Sequence, residues 1–134
     1  MLNATTPLVT GFADVYYYVA DMERALEFYA DLLGLEVLER EEFWCSLAAP
    51  GSSGQLGLHW TGGDPVPRSG RGEHGAHAGA TLTLAVADIG DAIARLREGG
   101  IAILGDVQRE DWGAAVDIAD PDGNILLLME SADA

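Results

Sequence analysis

The sequence has 134 residues, with 22 acidic side chains against 7 arginines and no lysine, giving a formal net charge of -15. A chain of this length can form one compact domain, and the negative charge argues against nucleic acid as a partner because phosphates would be repelled. The sequence contains no apolar run near the roughly 20 residues of a membrane helix, no basic signal-peptide region and only one cysteine, Cys45. We therefore expect a cytoplasmic globular protein that does not bind a membrane.

The first half of the chain predicts one helix and four strands. The segment DVYYYV is rich in aromatic and β-branched residues, as strands are, and Asp21 follows it as a helix N-cap. Gly34 is placed to end the helix, which runs to about Leu33. The predicted strands are Asp14 to Val19, Leu35 to Arg40, Phe43 to Ala48 and Gln55 to Trp60.

The second half repeats the first, because residues 19–38 (VADMERALEFYADLLGLEVL) return as residues 86–104 (VADIGDAIARLREGGIAIL). The repeat predicts a helix from Asp88 to about Glu98, one residue shorter than the first. A DPDGN turn, in which Gly123 can take a positive φ, joins the last two strands. The predicted strands are Thr81 to Val86, Ile101 to Leu104, Ala114 to Ala119 and Ile125 to Glu130.

This order of elements predicts a single α+β domain made of two tandem βαβββ modules. Module one covers residues 11–62 and module two residues 79–131. Residues 63–78 are too rich in glycine and proline for the interior of a helix or strand, and we interpret them as a long linker, mobile without a partner or ligand.

The two modules, the helix ending in FYADLLGLEV and the closing DPDGN turn resemble the vicinal-oxygen-chelate superfamily, which includes glyoxalases, extradiol dioxygenases and bleomycin-resistance proteins. The resemblance implies that each module curls its sheet into a half-barrel around a cavity. It also implies a homodimer in which the partner chain completes each cavity. It does not fix the function, because one fold supports many chemistries.

Enzymes of this superfamily hold a divalent metal with His, Gln or Glu side chains on symmetry-related strands. The family pattern places these ligand positions at Asp14, Gly57, Thr81 and Leu127, of which only Asp14 is a good metal ligand. We therefore expect no metal and no other cofactor. His74 and His77 lie in the glycine-rich linker. Their spacing is only weak evidence for a metal site, and two solvated loop histidines are the simpler interpretation.

The resemblance also implies which side chains face the cavity. His59 would lie on its wall, either contacting a ligand or only packing there, and Leu127 and Met129 are as consistent with core packing as with ligand contact. A Trp-Gly pair before the DPDGN turn is similar to a stretch of bleomycin-binding proteins that lies at the groove rim, which makes Trp112 the strongest single candidate. The candidate ligand-binding residues are Asp14, Tyr16, Tyr18, Gln55, His59, Thr81, Thr83, Trp112, Leu127 and Met129.

These residues favour a metal-independent binding protein that sequesters a planar aromatic or cationic natural product, as antibiotic-resistance proteins of the family do. The alternative is a lyase, isomerase or dioxygenase-like enzyme that uses His59 and Asp14 as acid and base, or a relocated metal site. A third interpretation is an accessory protein whose cavity has no remaining function.

Overall fold

A computed structural model describes residues 7–10, 12–52, 54–68, 70–77 and 79–132. Gly11 and Ala78, which mark predicted limits of module one and of the linker, lie outside the described residues. Each half of the described chain contributes one helical segment and four strands. The strands are β1 (Val15–Val19), β2 (Glu36–Arg40), β3 (Trp44–Ala48), β4 (Leu56–Trp60), β5 (Leu82–Ala85), β6 (Ile103–Glu110), β7 (Gly113–Ala119) and β8 (Ile125–Ser131).

The eight strands form two mixed sheets with the same topology. The first has the order β1-β4-β3-β2 and the second the order β5-β8-β7-β6. In each sheet the first strand is parallel to the fourth, and the other neighbours are antiparallel. The predicted α+β fold with two tandem βαβββ modules is therefore confirmed.

Helices α1 (Met22–Leu26) and α2 (Ile89–Glu98) begin in the same way. The carboxylate of Asp21 accepts a hydrogen bond from the Arg24 amide at 3.2 Å, and that of Asp88 accepts one from the Asp91 amide at 3.0 Å. Each cap satisfies an amide that has no partner within its helix, which explains why this aspartate occurs in both repeats.

The first helical segment contains one more residue than the second, and a π-helical turn accommodates it. After α1 the chain continues as a π-helix over Glu27–Leu32. The Leu33 amide donates to the Phe28 carbonyl, five residues back, at 2.9 Å. Because a π-turn contains more residues than an α-turn, both segments still end at a glycine with positive φ, Gly34 at 81° and Gly100 at 76°.

One strand is longer than the sequence predicted. β6 extends to Glu110 rather than ending at Leu104, and Gly105, with a φ of 95°, stands at an irregularity in its pairing with β7. The polar segment after Gly105 has no apolar alternation because most of its side chains are exposed. Backbone hydrogen bonds to β7 hold this segment in the sheet. Such bonds do not require apolar side chains, so the sequence shows no strand pattern there.

A single hydrophobic core joins the two modules. It contains the inner faces of both helices together with the strand residues that point towards them, from both halves of the chain. In β1, Tyr17 and Val19 face this core, whereas the alternate residues Tyr16 and Tyr18 are each 47% exposed. Each sheet therefore has a second face, turned away from the helices, which we call its open face.

The DPDGN turn fastens the second module to the first. Asp120 is buried, and its carboxylate accepts hydrogen bonds from the Tyr29 hydroxyl at 2.6 Å and the Asn124 side-chain amide at 2.8 Å. It also accepts the backbone amides of Asp122 and Asn124, at 2.9 and 2.8 Å. Burial, reinforced by this carboxylate, raises the pKa of Tyr29 far above its ordinary value, so its hydroxyl remains a donor.

Part of the predicted linker forms a short hairpin. Arg71 and His77 form an antiparallel bridge, and the Gly72 amide donates to the Ala76 carbonyl at 2.6 Å. We call residues 71–77 the linker hairpin; its local backbone bonds are possible because glycine takes the turn, with a φ of 87° at Gly75. Among the described residues, no helix is long and apolar enough to span a membrane.

Candidate ligand-binding site

Four aromatic side chains meet on the open face of the first sheet, and we call them the aromatic cluster: Tyr16, Tyr18, Trp44 and His59. The ring centres of Tyr16 and Trp44 lie 5.6 Å apart, as do those of Tyr16 and Tyr18, both pairs edge to face. His59 lies 5.1 Å from Tyr18 and 6.3 Å from Trp44. These spacings are typical of attractive aromatic contacts.

Strand register brings the aromatic cluster together. Tyr18 pairs with His59 across β1 and β4, and His59 pairs with Trp44 across β4 and β3. Side chains that pair across neighbouring strands point to the same face of a sheet. The neighbouring Tyr18 raises the pKa of Tyr16, chiefly through a side-chain hydrogen bond.

Trp44 fills the space that the sequence left open at Gly57. A Cβ atom built on Gly57 would lie 2.1 Å from the outer edge of the Trp44 ring and 2.8 Å from the Tyr16 Cβ. Gly57 therefore leaves no room for a ligand at this position. The absence of a side chain instead allows the edge of the Trp44 indole to approach the backbone of β4 closely.

The same contact bears on the metal site that the superfamily implies. The Gly57 position carries no donor atom, and the Trp44 ring occupies the place of the ligating side chain. Leu127, at another ligand position, has a hydrocarbon side chain, and Thr81 has a hydroxyl, a poor ligand for such an ion. The residues present therefore do not fit the divalent metal of the family enzymes. Within the described residues, no three His, Cys, Asp or Glu side chains group as metal ligands.

His59 has one ring nitrogen already engaged. Its Nδ1 lies 2.8 Å from the carbonyl oxygen of Trp60, and because a carbonyl can only accept, Nδ1 carries the proton. In the neutral ring Nε2 is then left as an acceptor within the aromatic cluster. His59 can accordingly accept a hydrogen bond from a ligand.

Asp14, the suggested partner of His59 in catalysis, lies elsewhere. It precedes β1 by one residue, four positions before Tyr18, which is the residue paired with His59. At a rise of about 3.3 Å per residue, four positions separate the two groups by roughly 13 Å along the strand. The structure does not bring this acid and base within hydrogen-bonding reach. Gln55, also exposed, lies at the Asp14 end of the sheet, where its carbonyl accepts the Val15 amide at 3.5 Å.

The candidate residues of the second module lie on the open face of the second sheet. Thr83, Leu127 and Asp117 pair across β5, β8 and β7, and Met129 pairs with Ala85 one step further. A cavity of about 540 Å³ lies between this face and the linker hairpin; Leu127, Asp117 and Gln108 line it on the sheet side. Its charged wall distinguishes it from the aromatic surface of the first sheet.

Thr81 and the linker hairpin meet at a second cavity. The Thr81 hydroxyl lies 3.1 Å from Nε2 of His77, and His77 lines a cavity of about 270 Å³ together with Tyr16 and Asn124. This cavity runs along the seam between the modules. His74 lines the larger cavity instead, so the two linker histidines face different spaces.

Trp112 lies at the tip of the β6–β7 hairpin with 49% of its side chain exposed. The next residue has to be a glycine, because a Cβ atom on Gly113 would lie 2.0 Å from the Glu130 carbonyl oxygen. The Trp112 carbonyl accepts the Ala132 amide at 2.9 Å, which holds the hairpin tip against the end of β8. Trp112 is thus on a different sheet from the tyrosine pair.

Two residues of the open faces, Trp44 and Asp117, are not among the residues predicted from the sequence. Trp44 alternates with the buried Cys45, which places it on the open face once β3 is recognised. Asp117 is a single acid inside the buried strand GAAVDIA, and a charge in such a pattern indicates a position facing away from the core. Trp60 packs against the core, and its indole donates to the Ala20 carbonyl at 3.0 Å.

The two βαβββ modules, each with an open sheet face, define the structural class to which this protein belongs. The family model described as the Glyoxalase/Bleomycin resistance protein/Dioxygenase superfamily matches residues 11–128. The chain is therefore a member of this superfamily.

Two solved structures and one further relative agree with this assignment. A glyoxalase/bleomycin resistance protein from Streptomyces sp. CB03234 is 30% identical, with 87% of this chain and 99% of that chain covered and a TM-score of 0.62. TnmS3, an antibiotic binding protein from Streptomyces sp. CB03234, is 26% identical over 92% of this chain and 99% of its own, with a TM-score of 0.65. The uncharacterized protein YetH of Bacillus subtilis (strain 168) is 23% identical over 92% of this chain and all of its own.

Proposed function

We propose that this protein is a metal-independent small-molecule binding protein that sequesters a planar aromatic or cationic natural product. In this proposal it acts in the cytoplasm, without a cofactor, as proteins of the antibiotic-resistance type do. The observation that supports it best is the aromatic cluster on the open face of the first sheet. Similarity to an antibiotic binding protein is consistent with the same function.

The aromatic cluster has the chemistry for binding a flat molecule. Tyr16 and Tyr18 are each about half exposed, so a ligand can reach them, whereas Trp44 is more enclosed and braced against Gly57. A ring held in place by its neighbours loses little entropy when a ligand stacks on it. Each aromatic or cation–π contact contributes about 0.5 to 2 kcal/mol. Four contacts at the upper end of this range together approach the roughly 8 kcal/mol of micromolar binding.

We further propose a homodimer in which the open face of one chain's first sheet faces the second sheet of the partner. This arrangement would combine the aromatic cluster with Trp112, Thr83, Leu127 and Met129, which lie on the other sheet within one chain. The support is the exposure of large apolar side chains on these surfaces, including Tyr16 at 47% and Trp112 at 49%. Asp14 and Gln55 would lie at the edge of the shared site.

Equilibrium dialysis and tryptophan fluorescence against bleomycin and a panel of neutral and cationic planar antibiotics test the proposal. We expect at least one planar compound to bind and to quench tryptophan emission. Changing Tyr16→Leu should weaken that binding about tenfold, because one stacking contact and one hydroxyl are lost. The matched control is Tyr29→Phe, which changes a tyrosine of the core and should leave the affinity unchanged.

Tryptophan variants locate the site. Trp44→Phe should weaken binding measured by dialysis, which does not depend on the emission of the removed residue. Trp112→Phe should weaken it only if the dimer brings the second sheet to the ligand. Binding that is unaffected by Tyr16→Leu and Trp44→Phe would place the ligand elsewhere and contradict the proposal.

The enzymatic alternative has less support from the geometry. His59 and Asp14 are separated along the strand, and the positions of the family's metal ligands lack suitable donor atoms. A turnover assay with a hemithioacetal substrate, run with and without added divalent metal, would reveal such an activity directly.

A further inference from the structure

The cavity of the second sheet contains a carboxylate in an unusual setting. Asp117 lies in the middle of β7, paired with Leu127 on one side and Leu104 on the other. Its neighbours along the strand, Val116 and Ile118, point into the core, and its own side chain is only 20% exposed. A carboxylate loses hydration in such a place and needs a cation or several donors to compensate.

The cation comes from the chain itself. Nη2 of Arg71 lies 2.6 Å from Oδ2 of Asp117, and the two residues are 46 positions apart. The linker hairpin carries Arg71 across the open face of the sheet, where its guanidinium is about one-third exposed. An arginine delivered by a glycine-rich hairpin can withdraw more easily than one fixed on a helix or strand.

The charges around this contact favour cations in general. Among the described residues that line the cavity, Arg71 is the single arginine, against the carboxylates of Glu73, Asp106 and Asp117. The cavity of about 540 Å³ is also large enough for a small flat molecule. If Arg71 withdrew, Asp117 would face this space together with the apolar side chain of Leu127.

We propose that Asp117 recognises a flat cationic group of the ligand, an amidinium or guanidinium, and that Arg71 holds that place until the ligand's cation replaces it. Arg71 of the linker hairpin then competes with the ligand's cation for the Asp117 carboxylate. The proposal rests on the proposed binding function and assigns the cationic part of the ligand to one residue, Asp117. The aromatic cluster supplies the stacking surface separately.

Benzamidine and benzamide are suitable probes, because they have the same shape and only benzamidine is a flat cation near neutral pH. Affinities are measured by calorimetry or ligand-observed NMR on the full chain. We expect benzamidine to bind in preference to benzamide. Arg71→Gln should strengthen benzamidine binding about fivefold by removing the competitor and leave benzamide unchanged, whereas Asp117→Asn should abolish the preference.

A second ion pair provides matched controls. Arg95 and Asp91 lie on the exposed face of α2, 3.8 Å apart, so Arg95→Gln and Asp91→Asn change the net charge equally without touching the cavity. They should leave both affinities as they are. Circular dichroism establishes that each variant is folded, and Asp117→Ser replaces Asp117→Asn if the latter is not.

The outcomes separate this inference from the proposed function. If Arg71→Gln weakens or does not change benzamidine binding, Arg71 is not a competitor and the proposal fails. It also fails if the preference for benzamidine survives at Asp117→Asn and Asp117→Ser. Binding of neutral planar compounds that depends on Tyr16 and Trp44 would still support the proposed function in either case.

Discussion

Replacing Asp120 with alanine tests whether the DPDGN turn fastens the two modules together. Asp120 is only 5% exposed and accepts four hydrogen bonds, one of which comes from Tyr29, 91 positions away in the other module. Asp120→Ala removes the acceptor of all four. The Tyr29 hydroxyl then has no partner in a place that bulk water does not reach, since Tyr29 is 0% exposed.

The expected cost follows from these contacts. A hydrogen bond to a charged group contributes about 1.5 to 3 kcal/mol, and an unsatisfied buried donor costs a similar amount. The amides of Asp122 and Asn124 are closer to the surface and recover part of their loss through water. We therefore expect Asp120→Ala to lower the free energy of unfolding by about 3 to 5 kcal/mol. A domain of this size is stable by only about 5 to 15 kcal/mol.

Urea unfolding, followed by both tryptophan fluorescence and far-ultraviolet circular dichroism, measures this change. Tyr29→Phe serves as the partner variant, because it removes one hydrogen bond and leaves Asp120 three donors; we expect a loss of about 1 to 2 kcal/mol. The double variant lacks the buried hydroxyl. Its loss of unfolding free energy should therefore be smaller than the sum of the two single losses by about 1 to 2 kcal/mol. A cost below about 1 kcal/mol for Asp120→Ala, or strict additivity, would refute this reasoning.

Three further predictions concern packing, pH and assembly. Gly57→Ala should destabilise the fold by about 1 to 3 kcal/mol and shift tryptophan emission, because the new methyl group meets the Trp44 ring. Gly54→Ala, whose new methyl group would have its nearest contact at 4.0 Å, should be nearly neutral in the same unfolding assay. Burial raises the pKa of Asp122, so the native state binds the proton of this carboxyl group more tightly than the unfolded chain does. The protonated carboxyl group therefore contributes to stability at low pH, and this contribution is lost as the pH rises above the ordinary aspartate pKa. Asp122→Asn should therefore stabilise the protein at neutral pH and have little effect at about pH 3, as a series of unfolding curves would reveal. Light scattering coupled to size exclusion should give twice the mass of the 14.1 kDa chain, and a monomer at all concentrations would contradict the proposed dimer.

The sequence predicted the scaffold well because the scaffold depends on local signals. Asp21 and Asp88 cap the helices, Gly34 and Gly100 end them, and strand alternation separates core from open face, so each element could be located from neighbouring residues. The end of β6 was missed because an exposed edge strand carries no alternation. Its position depends on backbone hydrogen bonds to β7, which any sequence can form.

The candidate site was harder to predict because it depends on contacts between distant segments. Strand alternation, combined with the family resemblance, placed Tyr16, Tyr18 and His59 on one face, and the strand pairing in the structure agrees. It could not foresee that the Trp44 ring would lie over Gly57, since a glycine in a strand is compatible with either an empty space or a close contact. The pairing of Arg71 with Asp117 likewise follows from the path of the linker, which composition does not determine.

The π-helical turn at Glu27–Leu32 has a consequence for how the two halves of the chain can change in length. An inserted residue in an ordinary helix rotates everything after it by about 100°, which would direct the chain away from the position of β2 in the sheet. Here the extra residue widens one turn, and the chain leaves the helix in the same direction as in the other half. The halves of a duplicated protein can therefore differ by single residues in their helices without losing the register of the sheets that carry the binding surfaces.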